Sequence, residues 1–181
     1  ATAIAAGGFH TLALSEDGTV AAWGWNDFGQ CDIPAGLADV VAVAGGYQHS
    51  LALKADGTVV AWGDDADGQG DISVDNAIAM AAGGYHTLVL LADGTVGAWG
   101  WNGYGQCDVP EGVTDGVGVA AGYTHSLALE EDGTVVAWGD DAVGQCTIPP
   151  GLSDVVAIAA GELHSLALKA DGTVVAWGDN W

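Results

Sequence analysis

Five histidines, His10, His49, His86, His125 and His164, are each followed at once by Ser or Thr, and an imidazole beside a hydroxyl is the raw material of nucleophilic catalysis. The neighbour relation itself argues against that chemistry. If these residues lie on strands, adjacent side chains project to opposite faces and the pair cannot meet. A metal centre built from the five imidazoles is also disfavoured, because equivalent positions in adjacent units of an array stand too far apart to share an ion at about 2.0 Å per bond. The histidines are therefore expected to be hydrogen-bonded structural residues, and no catalytic residue is assigned.

Asp64, Asp65, Asp67 and Asp71 place four carboxylates on a Gly-containing stretch that could supply oxygen ligands to calcium. The stretch lacks the twelve-residue EF-hand loop pattern and its terminal Glu, so solvated turn acids are the preferred reading and calcium the alternative. Cys31, Cys107 and Cys146 show no C-x-x-C spacing, and an odd number cannot all pair within the chain. They are expected to be free or partly buried thiols. No cofactor is implied.

The charge is lopsided: 24 acidic residues face two lysines and no arginine, for a formal net charge of −22. Binding to phosphate backbones or anionic lipid requires cations in contact with phosphate, so direct nucleic-acid and membrane-surface binding are disfavoured. No run of about 20 apolar residues is free of Gly or charge, which argues against a transmembrane helix and membrane insertion. Because the chain starts at Ala1, no signal peptide can be read, and a processed product or a piece of a longer protein is expected.

The elements that must carry these residues follow from a repeat. The histidines, the tryptophans at 23, 62, 99, 138 and 177, and the Asp-Gly pairs beginning at 17, 56, 93, 132 and 171 all step by 39, 37, 39 and 39 residues. The stretch His49 to Asp64 returns letter for letter as His164 to Asp179. Such a period indicates a solenoid, propeller or array. Within a unit, Val155 to Ala160 reads as a buried strand and His164 to Leu168 as a second. Asp171-Gly172 supplies a tight reversal, and Thr173 to Trp177 forms a third strand. A three-stranded antiparallel meander cannot bury its own core, so copies must stack face to face.

The Ala- and Gly-rich first strand suits crowding around an axis, and the bulky Trp of the third suits the wider outer gap. The predicted fold is therefore all-β, a β-propeller of five three-stranded antiparallel blades in one domain, with repeats of about 1–40, 41–77, 78–116, 117–154 and 155–181. Closure as a five-bladed ring is the expected arrangement, and five blades of a larger ring the alternative. Repeat two is two residues shorter and lacks the proline found at Pro34, Pro110 and Pro149, so residues 71–75 should follow a different path.

Gly-x-x-His-Ser/Thr-Leu-x-Leu, Asp-Gly-Thr-Val, Ala-Trp-Gly and Gly-Gln-Cys-Asp-Ile/Val-Pro together resemble the RCC1-type repeat, most like the short-repeat branch exemplified by β-lactamase inhibitory protein II. The resemblance implies a ring, usually of seven blades, whose face loops grip partner proteins. It does not carry over the loop side chains of any member, and the charge opposes a chromatin role.

The repeats differ most just after Ala-Trp-Gly. Aromatic tips (Trp25, Asn26, Phe28; Trp101, Asn102, Tyr104) alternate with acidic ones, and the last unit ends in Trp181. Trp and Tyr dominate binding hot spots. These seven residues are the candidate partner-binding set of a non-enzymatic module, and the partner is expected to be another protein carrying basic patches. The alternatives are self-assembly as a structural subunit of a larger array or filament, and a lectin.

Overall fold

The computed structural model describes residues 1–179, and all of its regular structure is strand. Each repeat forms one antiparallel sheet in chain order. The first comprises β1 (Ala3–Ala6), β2 (His10–Leu14) and β3 (Val20–Gly24), the second β4 (Val40–Gly45), β5 (His49–Lys54) and β6 (Val59–Gly63). Then come β7 (Ala77–Ala82), β8 (His86–Leu91) and β9 (Val96–Gly100), followed by β10 (Gly116–Ala121), β11 (His125–Glu130) and β12 (Val135–Gly139), and finally β13 (Val155–Ala160), β14 (His164–Lys169) and β15 (Val174–Gly178). The second hairpin of each sheet turns on the Asp-Gly pair. Gly172 takes φ 85°, a left-handed value that costs glycine nothing, and the Asp171 carboxylate accepts the Thr173 N–H at 2.8 Å.

The sheets pack as blades in sequence order, with the small first strands converging on a common axis. β1, β4, β7, β10 and β13 touch their neighbours there, and their Ala and Gly ends line one central cavity. Each interface buries the leucines of one second strand against the following blade. Leu12, Leu51, Leu88 and Leu127 are fully buried, and so are Ala52, Val89, Ala128 and Ala167 on the opposite blade faces. Burial of this kind contributes roughly 25 cal/mol per Å² of apolar surface, which a lone meander could not collect. In the second repeat, where no proline-led turn forms, Ile72 and Val74 pack instead against the core between the second and third blades. The other three connections carry the turn, as in the 3.2 Å bond from Leu37 N–H to Pro34 O.

The expected closed ring is not what the blades form. Among the described residues, no strand of the fifth blade packs on the first to the extent seen at the four internal interfaces. The surfaces that would meet are open: Ile4 and Trp23 are 77% and 53% exposed at one end, and Val174 is 61% exposed at the other. Their internal counterparts Trp138 and Val135 are buried. The blades therefore make an open arc, in line with the second arrangement considered from sequence.

Candidate functional site

The histidines strap blade to blade. His10 Nε2 lies 2.8 Å from Ser50 Oγ, His49 Nε2 3.2 Å from Thr87 Oγ1, and His86 and His125 each 3.0 Å from Ser126 and Ser165. Every one of these hydroxyls donates at 2.8 Å to the main-chain carbonyl of Gln30, Gln69, Gln106 or Gln145. With its proton engaged there, the hydroxyl oxygen accepts from Nε2–H, which assigns the tautomer. Burial holds the imidazoles neutral, pushing His49 and His125 down to about 4 and His86 to about 3. A buried hydroxyl whose proton is held by a carbonyl is a strap and not a nucleophile.

The same glutamines shape the loops that follow each third strand. Gln30 Oε1 accepts the Phe28 N–H at 3.1 Å, and Gln106 Oε1 accepts the Tyr104 N–H at 3.0 Å. Asn26 and Asn102 close these loops. Each receives the following cysteine's N–H on Oδ1 and donates to Asp32 or Asp108 at 2.8 Å. Their side chains are thus spent within the loop, while Trp25, Phe28, Trp101 and Tyr104 are left outward. Cys31, Cys107 and Cys146 are unpaired thiols aimed at main-chain carbonyls of these loops. Burial, with nearby aspartates adding to it, raises Cys107 to about 11 and Cys146 to about 12.

The third strands end where the first hairpins turn, so both sets of loops share one end of the molecule. Trp25 N–H donates to Phe9 O and Trp101 N–H to Tyr85 O, each at 2.9 Å. An aromatic surface results. Phe28 packs on Trp25 with centroids 5.3 Å apart, Trp25 on Phe9 at 5.7 Å, and Phe9 on Tyr47 at 5.2 Å. Tyr47, Tyr85 and Tyr123 then meet in a triangle with sides of 5.5 to 5.6 Å. These are edge and tilted contacts of the favourable kind. The rings lean on one another, yet Phe9 is 57% and Tyr104 55% exposed.

Beside the triangle lies a cleft of about 520 Å³. Trp101, Tyr104, Tyr85 and Tyr123 line it together with Asp67, Asp140 and Glu162. Tyr123 donates its hydroxyl to Tyr85 at 3.2 Å, and burial followed by this bond raises its pKa, so the phenol stays neutral. Asp140 accepts from Thr124 Oγ1 at 3.2 Å and from the Ala142 N–H at 3.1 Å. Both lysines lie at the far ends of their strands beside the Asp-Gly turns, and Lys54 is paired there with Asp56 at 3.1 Å.

The structure brings Trp101 and Tyr104 into the cleft and Trp25 and Phe28 into the aromatic run. Trp181 lies outside the described residues. Asp64, Asp65, Asp67 and Asp71 do not gather: among the described residues no three His, Cys, Asp or Glu side chains come together to hold a metal ion. Asp64 and Asp65 instead accept the main-chain N–H groups of Ala66 and Gly70. Reasoning from sequence missed Phe9, Tyr47, Tyr85, Tyr123 and the straps' glutamines. The available signal was an aromatic one or two residues ahead of the histidine in four of five repeats.

Among the described residues, no helix is long and apolar enough to cross a membrane. No curated protein matches the chain. Among solved structures, Prp20p from Saccharomyces cerevisiae, studied for its binding to Gsp1p and histones, is 28% identical, with a TM-score of 0.80 over 97% of this chain and 56% of its own. Yeast RCC1 (Prp20) bound to Kap60 is likewise 28% identical with a TM-score of 0.80, over 97% of this chain and 55% of its own. Human WBSCR16 shares the fold at 20% identity, with a TM-score of 0.81 over 97% of this chain and 61% of its own. The chain thus spans just over half the length of the yeast structure. The Regulator of chromosome condensation (RCC1) repeat matches residues 1–30, 40–69, 77–106, 117–145 and 155–180, one segment per blade, and the chain belongs to that repeat family.

Proposed function

We propose that the protein is a non-enzymatic binding module that grips another protein through the aromatic end of its blades. One observation carries the reading: Phe28, Trp25, Phe9, Tyr47, Tyr85 and Tyr123 form an edge-to-face run across four blades at the end that holds no lysine. Rigid aromatics with little rotamer entropy to lose are the residues that most often carry interface energy. The binding of Gsp1p and histones by Prp20p supports the use of this fold for gripping proteins. The acids around the run favour a partner with basic patches and speed encounter at low salt. Replacing Trp25 and Trp101 together by Ala is expected to lower capture of the partner at least tenfold while the β-sheet spectrum stays unchanged. Capture that survives this pair of changes overturns the reading.

A second reading, a subunit of a larger assembly, draws on the exposed end faces around Trp23 and Val174. A chain that sediments as a monomer at high concentration rules it out.

A further inference from the structure

The cleft between the third and fourth blades has an unusual pairing of walls and rim. Its walls are four aromatic rings, whose faces are negative by their quadrupoles, and its rim carries three carboxylates with no cationic side chain to neutralise them. Among the described residues, the Asp67 and Glu162 carboxylates accept no hydrogen bond, while Asp140 keeps acceptor capacity beyond its two bonds. An anion would be repelled. A neutral apolar group would strip water from the carboxylates without compensating them. A cation meets both the rings and the rim. Among cations, a planar guanidinium can stack on a ring face while its edge forks a carboxylate, which a spherical ammonium cannot do. The chain has no arginine, so the cation must come from another molecule.

We propose that this cleft receives one arginine side chain of the partner protein, stacked between the Trp101–Tyr104 and Tyr85–Tyr123 pairs with Asp67, Asp140 and Glu162 as counter-charges. The source of the arginine rests on the protein-binding reading above; the cation chemistry of the cleft does not. Trp101 and Tyr104 meet edge to face at 5.4 Å, as do Tyr85 and Tyr123 at 5.5 Å, so the walls are already in place in the free protein. Little ordering is then needed on binding.

The test uses the chain with its indole N–H groups labelled for NMR, titrated with acetyl-Gly-Arg-Gly-amide, with the same peptide carrying citrulline, which keeps the shape and loses the charge, and with the same peptide carrying lysine, which keeps the charge and loses the plane. The Trp101 resonance, identified by its loss in Trp101→Ala, is expected to shift and saturate with the arginine peptide. The citrulline peptide should bind at least about tenfold more weakly, and the lysine peptide should fall between the two. Glu162→Gln, at an exposed position that does not endanger folding, should weaken the arginine peptide about threefold. Loss of Trp101 and Tyr104 together should abolish saturation as read by titration calorimetry, which does not depend on the missing indole signal. Equal binding of arginine and citrulline, no saturation with arginine, or saturation that survives loss of both aromatics each overturns the proposal. The two readings fail separately. Partner capture that depends on Trp25 and Trp101 without any arginine preference sinks only the arginine cleft, whereas arginine saturation with capture indifferent to those residues sinks only the protein-binding function.

Discussion

His125 Nε2 stands 3.0 Å from Ser165 Oγ, forty residues further along the chain and on the next blade. The contact repeats at each internal interface and ends at the arc's two extremities, where Thr11 and His164 are only partly buried. The same pair of residue types therefore does different work according to its place in the arc.

Ser126→Ala is expected to destabilise the protein by about 1–3 kcal/mol, because it leaves the buried His86 Nε2–H without an acceptor. Thr11→Val should change stability by less than about 0.5 kcal/mol, since no preceding blade presses on that hydroxyl. Urea midpoints of the two variants measure the difference. Equal losses would mean that the first and fifth blades do meet in solution.

Gly83 illustrates why a glycine must precede each strap. A Cβ there would run into the His86 ring and sit 2.7 Å from the Gly122 carbonyl oxygen of the next blade. Gly83→Ala is therefore expected to cost about 3 kcal/mol or more, through overpacking at an interface that cannot yield. Gly151→Ala supplies the contrast. Nothing lies within 4 Å of its Cβ position, and the only penalty, from φ 79°, is about 1–2 kcal/mol. Thermal or urea unfolding should rank the two in that order.

Acid should weaken the fold through the histidines before it reaches the carboxylates. The unfolded chain takes up protons on histidine below about 6.5, while burial keeps His49 and His125 neutral down to about 4 and His86 to about 3. The unfolded state thus binds more protons across that window, so stability falls as pH drops through it and levels off below the folded-state values. The full loss is on the order of 3 kcal/mol for His49 and for His125 and on the order of 5 kcal/mol for His86. Protonation of acids, which relieves the net charge of −22, acts in the opposite sense but mostly below about pH 5. Urea midpoints at constant ionic strength should therefore drop between pH 7 and 5. A flat profile over that range contradicts neutral buried straps.

Much of the blade was readable in the linear order of residues. The 39-residue step, the Asp-Gly reversals and the Leu-x-Leu alternation are local patterns, and local backbone preference together with the need to bury one face turns them into the same meander five times. Trp25, Phe28, Trp101 and Tyr104 were readable for a related reason: they stand where otherwise matching copies disagree. Two other features depended on the tertiary structure. Tyr47, Tyr85 and Tyr123 become mutual neighbours only because successive blades are wedged around one axis, with contacts between residues one or two repeats apart that no local pattern encodes. The opening of the arc has the same origin. Gly46, Gly83 and Gly122 let neighbouring inner strands approach where a Cβ would meet the next blade's carbonyl oxygen, Leu and Trp fill the outer gap, and the rotation from blade to blade that results accumulates only in three dimensions.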